Sequence, residues 1–216
     1  MKKPAIIVPE GCKEVLLHAC CAPCSSAIVE WMVQHDVRPT IFYYNPNIWP
    51  REEYEIRKNE SKRHAESLGL KWIDGDYDHE KWRQAVCGLE GEPERGKRCE
   101  RCFTLRLIEA AQKAKELGIQ YFTTTLASSR WKSLEQIERT GYLAEKTVNE
   151  ITQKEPSLLC NPVVFWAQNW RRGGLYERRN QLLKEFNFYN QQYCGCEFSK
   201  RQREEFEKAK SESTTH

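Results

Sequence analysis

Apolar positions along the chain fall into short uninterrupted runs, separated by longer stretches in which they recur every three or four residues. Val15-Leu16-Leu17, inside Glu14–Cys20, is a short uniformly apolar run and predicts a buried strand. Ser25–His35 (SSAIVEWMVQH) has helical periodicity, with Ser25 or Ser26 placed as its cap. Thr40–Tyr44 (TIFYY) predicts a second strand, stopped by Asn45-Pro46-Asn47. Pro50–Leu68 predicts a long charged helix that begins at Pro50 and ends at Gly69. Downstream, Leu70–Asp74, Gln120–Leu126 and Asn161–Phe165 predict strands. Asp78–Cys87, Cys102–Leu117, Leu134–Lys146, Gly174–Phe188 and Phe198–Lys210 predict helices, and Gly88–Gly96 a loop rich in glycine, proline and charge.

Strands alternate with helices from end to end. That order predicts a doubly wound α/β fold, its sheet mainly parallel and flanked by helices. With 216 residues, one domain spanning 1–210 is expected, with a C-terminal helical extension and a disordered tail at 211–216. Sites in such sheets lie beyond the carboxyl ends of the strands. His18-Ala19-Cys20-Cys21-Ala22-Pro23-Cys24 stands at such a place, where the first strand hands over to the first helix.

Composition narrows the class. Apolar residues make up 39% and charged residues 30%, a globular balance. The net charge of +3 decides nothing by itself about nucleic acid. The ten cysteines decide more. In a small secreted protein they would suggest a disulfide framework. Here Ala5-Ile6-Ile7-Val8 is too short for the apolar region of a signal peptide, and no apolar span is long enough for a membrane helix. The cysteines also cluster in tight groups. A cytoplasmic chain with metal or redox chemistry is therefore expected.

The first group, Cys20, Cys21 and Cys24, occupies the loop where a dinucleotide-binding fold would carry glycines. It lacks them, so phosphate cradling is not expected. Thiolates at a helix N-terminus are stabilised by the dipole and by free backbone N–H groups; buried apolar cysteines are the plainer reading. The second group, Cys99-Glu100-Arg101-Cys102, opens a helix and puts two thiols on one side of its first turn. Alone it suits zinc, an iron–sulfur cluster or a redox disulfide. With Cys20 and Cys21 it makes four thiolates, enough for one [4Fe–4S] cluster. The third group, Cys194-Gly195-Cys196, is spaced for a strained, labile disulfide, with metal ligation as the competing reading. Cys12, Cys87 and Cys160 stand singly and read as small hydrophobes. Glu53 and Arg57 share a helix face and should meet the same cleft, or form an ordinary surface ion pair. Basic residues recur, among them Arg57, Arg63, Arg130, Lys132, Arg171, Arg178 and Lys200. Trp49, Trp131, Trp166, Trp170 and Tyr176 interleave with them. This pattern suits phosphate contacts plus base stacking, and equally well solvated helix faces.

Taken together, HACCAPCSS (18–26), YYNPNIWPREEYEIR (43–57), RCERCFTLRL (98–107), TTTLASSRWKS (123–133) and YCGCEFS (193–199) resemble the cobalamin-independent epoxyqueuosine reductases of the QueH family. The blocks lie in order from residue 18 to 199, so the resemblance covers nearly the whole chain. It implies the last step of queuosine synthesis, in which an epoxycyclopentane on a modified guanine of the tRNA anticodon loop loses its oxygen and becomes a cyclopentene. It further implies a [4Fe–4S] cluster on Cys20, Cys21, Cys99 and Cys102, a redox-active pair at Cys194 and Cys196, and an external electron donor. Some members carry an additional mononuclear iron beside the cluster, for which Cys24 is a candidate ligand and one of Cys194 and Cys196 another. Tyr43, Tyr44 and Glu53 are candidate proton donors. Two other readings remain: a cluster-dependent tRNA sulfur-transfer enzyme, which would need a pyrophosphate loop where CCAPCSS stands, and a zinc-stabilised RNA-binding module.

Overall fold

In the computed structural model, which describes residues 6–153 and 161–213, β1 (Glu14–His18) lies at the centre of a five-stranded sheet. Val15, Leu16 and Leu17 have no exposed surface; burying each contributes about 1.5–3 kcal/mol. Because side chains alternate across a strand, Val15 and Leu17 enter one core while Leu16 enters the other. A strand apolar on both faces needs helices on both, which is why the run reads as continuous and not alternating.

The helices meet that demand. α1 (Ala22–Gln34) packs with α6 (Leu175–Glu185) on one face, through Ile28, Met32, Leu175 and Leu182. α4 (Lys97–Glu116) and α5 (Leu134–Gln153) cover the other, through Leu107, Ala110, Ala144 and Val148. Approach is close: a Cβ on Gly141 would stand 2.1–2.4 Å from the Phe165 ring.

The strand order is β3-β2-β1-β4-β5, with β2 at Arg38–Tyr43, β3 at Trp72–Asp74, β4 at Tyr121–Thr124 and β5 at Val164–Phe165. Every pairing is parallel, with Leu17 opposite Ile41 and Thr123. The chain winds outward from β1 to β3, then returns to the other side of β1 at β4. The loops after β1 and β4 diverge there, and the crevice between them is where such sheets hold ligands. The remaining helices are α2 (Arg51–Ser67), α3 (His79–Ala85) and α7 (Glu197–Ser213).

The doubly wound expectation holds, while several boundaries move. α1 begins at Ala22, not at Ser25, with Cys21 as its cap residue and Pro23 inside its first turn. Pro is preorganised for that position. The hydroxyls of Ser25 and Ser26 instead bond back to the carbonyls of Cys21, Ala22 and Pro23. α4 begins at Lys97 with Gly96 as its cap, so Cys99 stands inside the helix. α5 runs seven residues past Lys146, and α7 continues to Ser213. Cys160 and residues 214–216 lie outside the described residues.

Candidate active site

The turn from β1 into α1 brings three sulfurs together. Those of Cys20, Cys21 and Cys24 all lie within 4.8 Å of one another, because Cys21 caps the helix and Cys24 stands one turn into it. The 3₁₀ turn that follows β4, Thr125–Ser128, closes over them. The Cys20 backbone N–H donates to Thr125 Oγ1 at 3.0 Å, and the Thr125 hydroxyl can donate to Cys20 Sγ at 3.3 Å. From the C-terminal side Gln191 Nε2 donates to Cys21 Sγ at 3.1 Å.

Crowding sets the protonation. The neighbouring Cys21 and Cys24 thiols bond to Cys20 and hold its pKa well below the ordinary thiol range. Burial pushes Cys21 well above that range, and the bond to Cys20 pushes Cys24 up to about 11. One thiolate is thus stable here, while three together require a compensating cation. A metal centre would supply that cation, since thiolates are its ligands and its charge would drive their protons off. The donor set therefore fits a thiophilic metal.

The second cysteine pair is tied to the first through α4. Asn45 Nδ2 donates to the Ala19 carbonyl at 2.9 Å, and Arg106 Nη2 donates to Asn45 Oδ1. Arg106 Nη1 then stands 4.0 Å from Cys102 Sγ. Asn45 and Arg106 are both buried, so this bridge is shielded from water and strong. The Arg95 backbone N–H donates to Cys99 Sγ at 3.3 Å. Burial, with the charges of Cys194, Cys102 and Cys196 adding, pushes the Cys99 thiol up to about 12.

A cavity of about 790 Å³ opens over this floor, and Cys20, Cys24, Cys99 and Cys194 all line it. Half-buried Lys132 also lines it. Burial works against its charge, yet the thiols of Cys194, Cys20 and Cys24 outweigh that and raise its pKa. Cys194 and Cys196 are unbonded thiols; the Ser199 backbone N–H donates to Cys196 Sγ at 3.4 Å. Arg57, gripped by Glu53 at 2.6 and 2.8 Å, donates onward to the carbonyls of Tyr193 and Cys194.

Of the proton-donor candidates, Tyr43 is buried and donates to the Tyr54 carbonyl, Tyr44 packs among the core aromatics, and Glu53 is held by Arg57 and Tyr189. None of these three lines the cavity, whereas Arg57 does. The interleaved aromatics divide: Trp166 and Trp170 are core residues, while Trp131, Trp49 and Tyr176 are exposed. Arg178 is engaged by Glu30 and Glu185. Arg106, Gln191 and Thr125 were not marked as site residues by the sequence. Only the quoted block 98–107 carried a hint of Arg106, since its spacing from Cys102 shares a helix face but nothing local shows that the guanidinium also reaches Asn45.

Among the described residues, no helix is long and apolar enough to cross a membrane. The family model described as Epoxyqueuosine reductase QueH matches residues 15–202. An epoxyqueuosine reductase QueH of Histophilus somni is 43% identical over 199 residues, covering 92% of this chain and 77% of that protein. Its namesake in Haemophilus influenzae is 41% identical over 194 residues, covering 90% and 74%. That of Thermotoga maritima is 38% identical over 194 residues, covering 88% and 92%.

Proposed function

The chain belongs to the epoxyqueuosine reductase QueH family of oxidoreductases, and from that premise we propose that it deoxygenates epoxyqueuosine in the anticodon loop of tRNA, in the cytoplasm, to give queuosine. The observation that carries the reading is the thiol-lined cavity at the sheet's carboxyl edge, with Cys20, Cys24, Cys99 and Cys194 on its wall. We assign Cys20, Cys21, Cys99 and Cys102 as the thiolates that would hold a [4Fe–4S] cluster. When bound, such a cluster supplies electrons one at a time.

The chain's own groups do the rest. Converting the epoxide to an alkene consumes two electrons and two protons and releases water. Cys194 and Cys196, oxidised from dithiol to disulfide, yield both in that number, after which an external donor must reduce them. Burial pushes the Cys196 thiol up to about 11, so it keeps its proton until it reacts. The Lys132 ammonium on the cavity wall offers a positive charge and a proton to the departing oxygen. The closeness of Cys20, Cys21 and Cys24 also suits a single ion, and Cys24 is the thiol left for the additional iron once the cluster has taken the others.

The test is anaerobic purification with iron and sulfide quantitation, followed by an assay on tRNA carrying the epoxide. Iron and sulfide in cluster proportion, with conversion to the cyclopentene, are expected. Cys99→Ala should lose the iron and the conversion together. One equivalent of zinc without sulfide would instead favour the zinc-stabilised RNA-binding module, and full activity in Cys99→Ala would overturn the cluster assignment.

A further inference from the structure

At the mouth of the cavity stands a tryptophan that the fold holds out into water. Trp131 is 78% exposed, the largest value among the exposed large hydrophobics, yet it lines the cavity. Among the described residues no aromatic ring stacks on it. Exposing an indole forgoes its burial energy, so a mobile loop would be expected to fold the ring inward.

The loop is pinned instead. Arg95 Nε donates to the Trp131 carbonyl at 2.9 Å and Arg95 Nη2 to the Arg130 carbonyl at 3.2 Å. Arg171 Nη2 donates to the Lys132 carbonyl at 2.8 Å. Three consecutive carbonyls are thus anchored by two guanidinium groups, and Trp131 N–H bonds to Ser129 Oγ at 3.4 Å. Arg95 itself has a left-handed backbone, φ 68°, uncommon for a residue with a side chain. Its N–H meets Cys99 Sγ while its side chain reaches the loop. One residue therefore ties the exposed ring to the sulfur floor.

Charge identifies what the ring meets. Six basic side chains and one acidic side chain line this cavity, although the whole chain is nearly neutral at +3. Arg57 and Arg203 are paired with Glu53 and Glu207. Among the described residues, Arg95, Arg130, Lys132 and Arg179 have no carboxylate within ion-pair distance. The Arg130 guanidinium lies 3.8 Å over the Tyr176 ring, and both side chains line the same cavity as the indole. A preorganised aromatic ring amid basic side chains that no carboxylate neutralises matches single-stranded RNA, whose bases stack on aromatics while basic side chains take the phosphates.

We propose that Trp131 is the platform on which an unpaired nucleobase of the anticodon loop stacks, holding the loop over the cavity so that the modified side chain reaches the sulfurs below. This rests on the reading of the site as acting on tRNA and adds to it the residue that seats the RNA. Because stacking precedes chemistry, the platform serves RNA binding and not the reductive step.

The test measures binding of an unmodified anticodon hairpin to the anaerobically purified protein by fluorescence anisotropy, with turnover of epoxide-bearing tRNA in parallel. Trp131→Ala should weaken hairpin binding by about tenfold or more and raise KM with little change in kcat. Trp131→Phe, which keeps a ring, should retain most of the affinity, and Tyr142→Ala, exposed on α5, should bind as wild type. Hairpin binding by Trp131→Ala within about twofold of wild type overturns the platform even if deoxygenation is intact. Trp131-dependent hairpin binding without deoxygenation supports the platform while overturning the proposed reaction.

Discussion

His64 illustrates how one side chain links burial to solution behaviour. It faces inward from α2 with the rings of Phe186 and Phe188 edge-on at 5.1 and 5.2 Å. Burial, aided by Arg63 and opposed by Glu30, lowers its pKa to about 4. An unfolded histidine titrates near 6.5, so between those values the unfolded chain binds the extra proton. Stability is therefore complete above about pH 6.5 and declines as pH falls towards 4, by up to about 3 kcal/mol from this residue. Denaturant midpoints measured from pH 7 to pH 4.5 should fall, and His64→Leu should flatten the slope. An unchanged slope would assign the acid sensitivity to other groups. At this scale the cysteines were legible because spacing alone marks them: thiols that are adjacent, or one or two residues apart, suit shared metal or redox chemistry better than packing. Arg106 and Gln191 were less legible: Arg106 stands one turn from Cys102 but its bond to Asn45 joins distant segments, and Gln191 reaches Cys21 from the far end of the chain.

Among the elements, α2 carries a task its charged sequence only half disclosed. The spacing of Glu53 and Arg57 predicted a pair on one helix face. The structure shows that pair buried, with Tyr189 donating to Glu53 and Arg57 spending its remaining hydrogens on the 193–194 carbonyls. The Trp49 N–H adds a 2.9 Å bond to the Gly195 carbonyl. The segment that carries Cys194 and Cys196 is thus held in place by the start of a helix more than a hundred residues earlier. Arg57→Ala would strand the Glu53 carboxylate, a loss of about 3–5 kcal/mol. Arg139→Ala, which breaks only the exposed, solvent-screened pairs with Glu100 and Glu135, should cost far less. Thermal unfolding of the two variants tests the ordering, and alkylation of Cys194 should quicken only in the first. Equal losses would mean that the buried pair anchors nothing. Boundaries were the weaker part of the sequence reading. Ser25 and Ser26 suit a cap, but the helix begins before them at Ala22, with Pro23 in its first turn, and that extra turn is what carries Cys24 back over Cys20.

For the whole molecule, the arrangement of the sheet makes metal binding a matter of global stability. Cys20 and Cys21 lie in the turn after the central strand, whereas Cys99 and Cys102 ride on α4, which packs on the opposite face from α1. A centre shared by all four would cross-link the two helical layers through the sheet's carboxyl edge. Without it, that junction relies on Asn45, Arg106 and Thr125. The repulsion among the Cys20, Cys21 and Cys24 thiolates is then relieved only by protonation. A ligand that binds only the folded state, present about a thousandfold above its Kd, adds about 4 kcal/mol. For a chain of this length that is about 10 °C in Tm. Anaerobic calorimetry before and after chelation under oxidising conditions should therefore show a fall of that order. Cys99→Ala should start from the lower value and respond little to chelation. Cys87→Ser, altering an exposed thiol away from the site, should keep both the iron and the higher Tm. If chelation removed the iron and left the wild-type Tm unchanged, the metal would be bound within one segment alone. The bridge between the β1–α1 turn and α4 would then be carried by hydrogen bonds only.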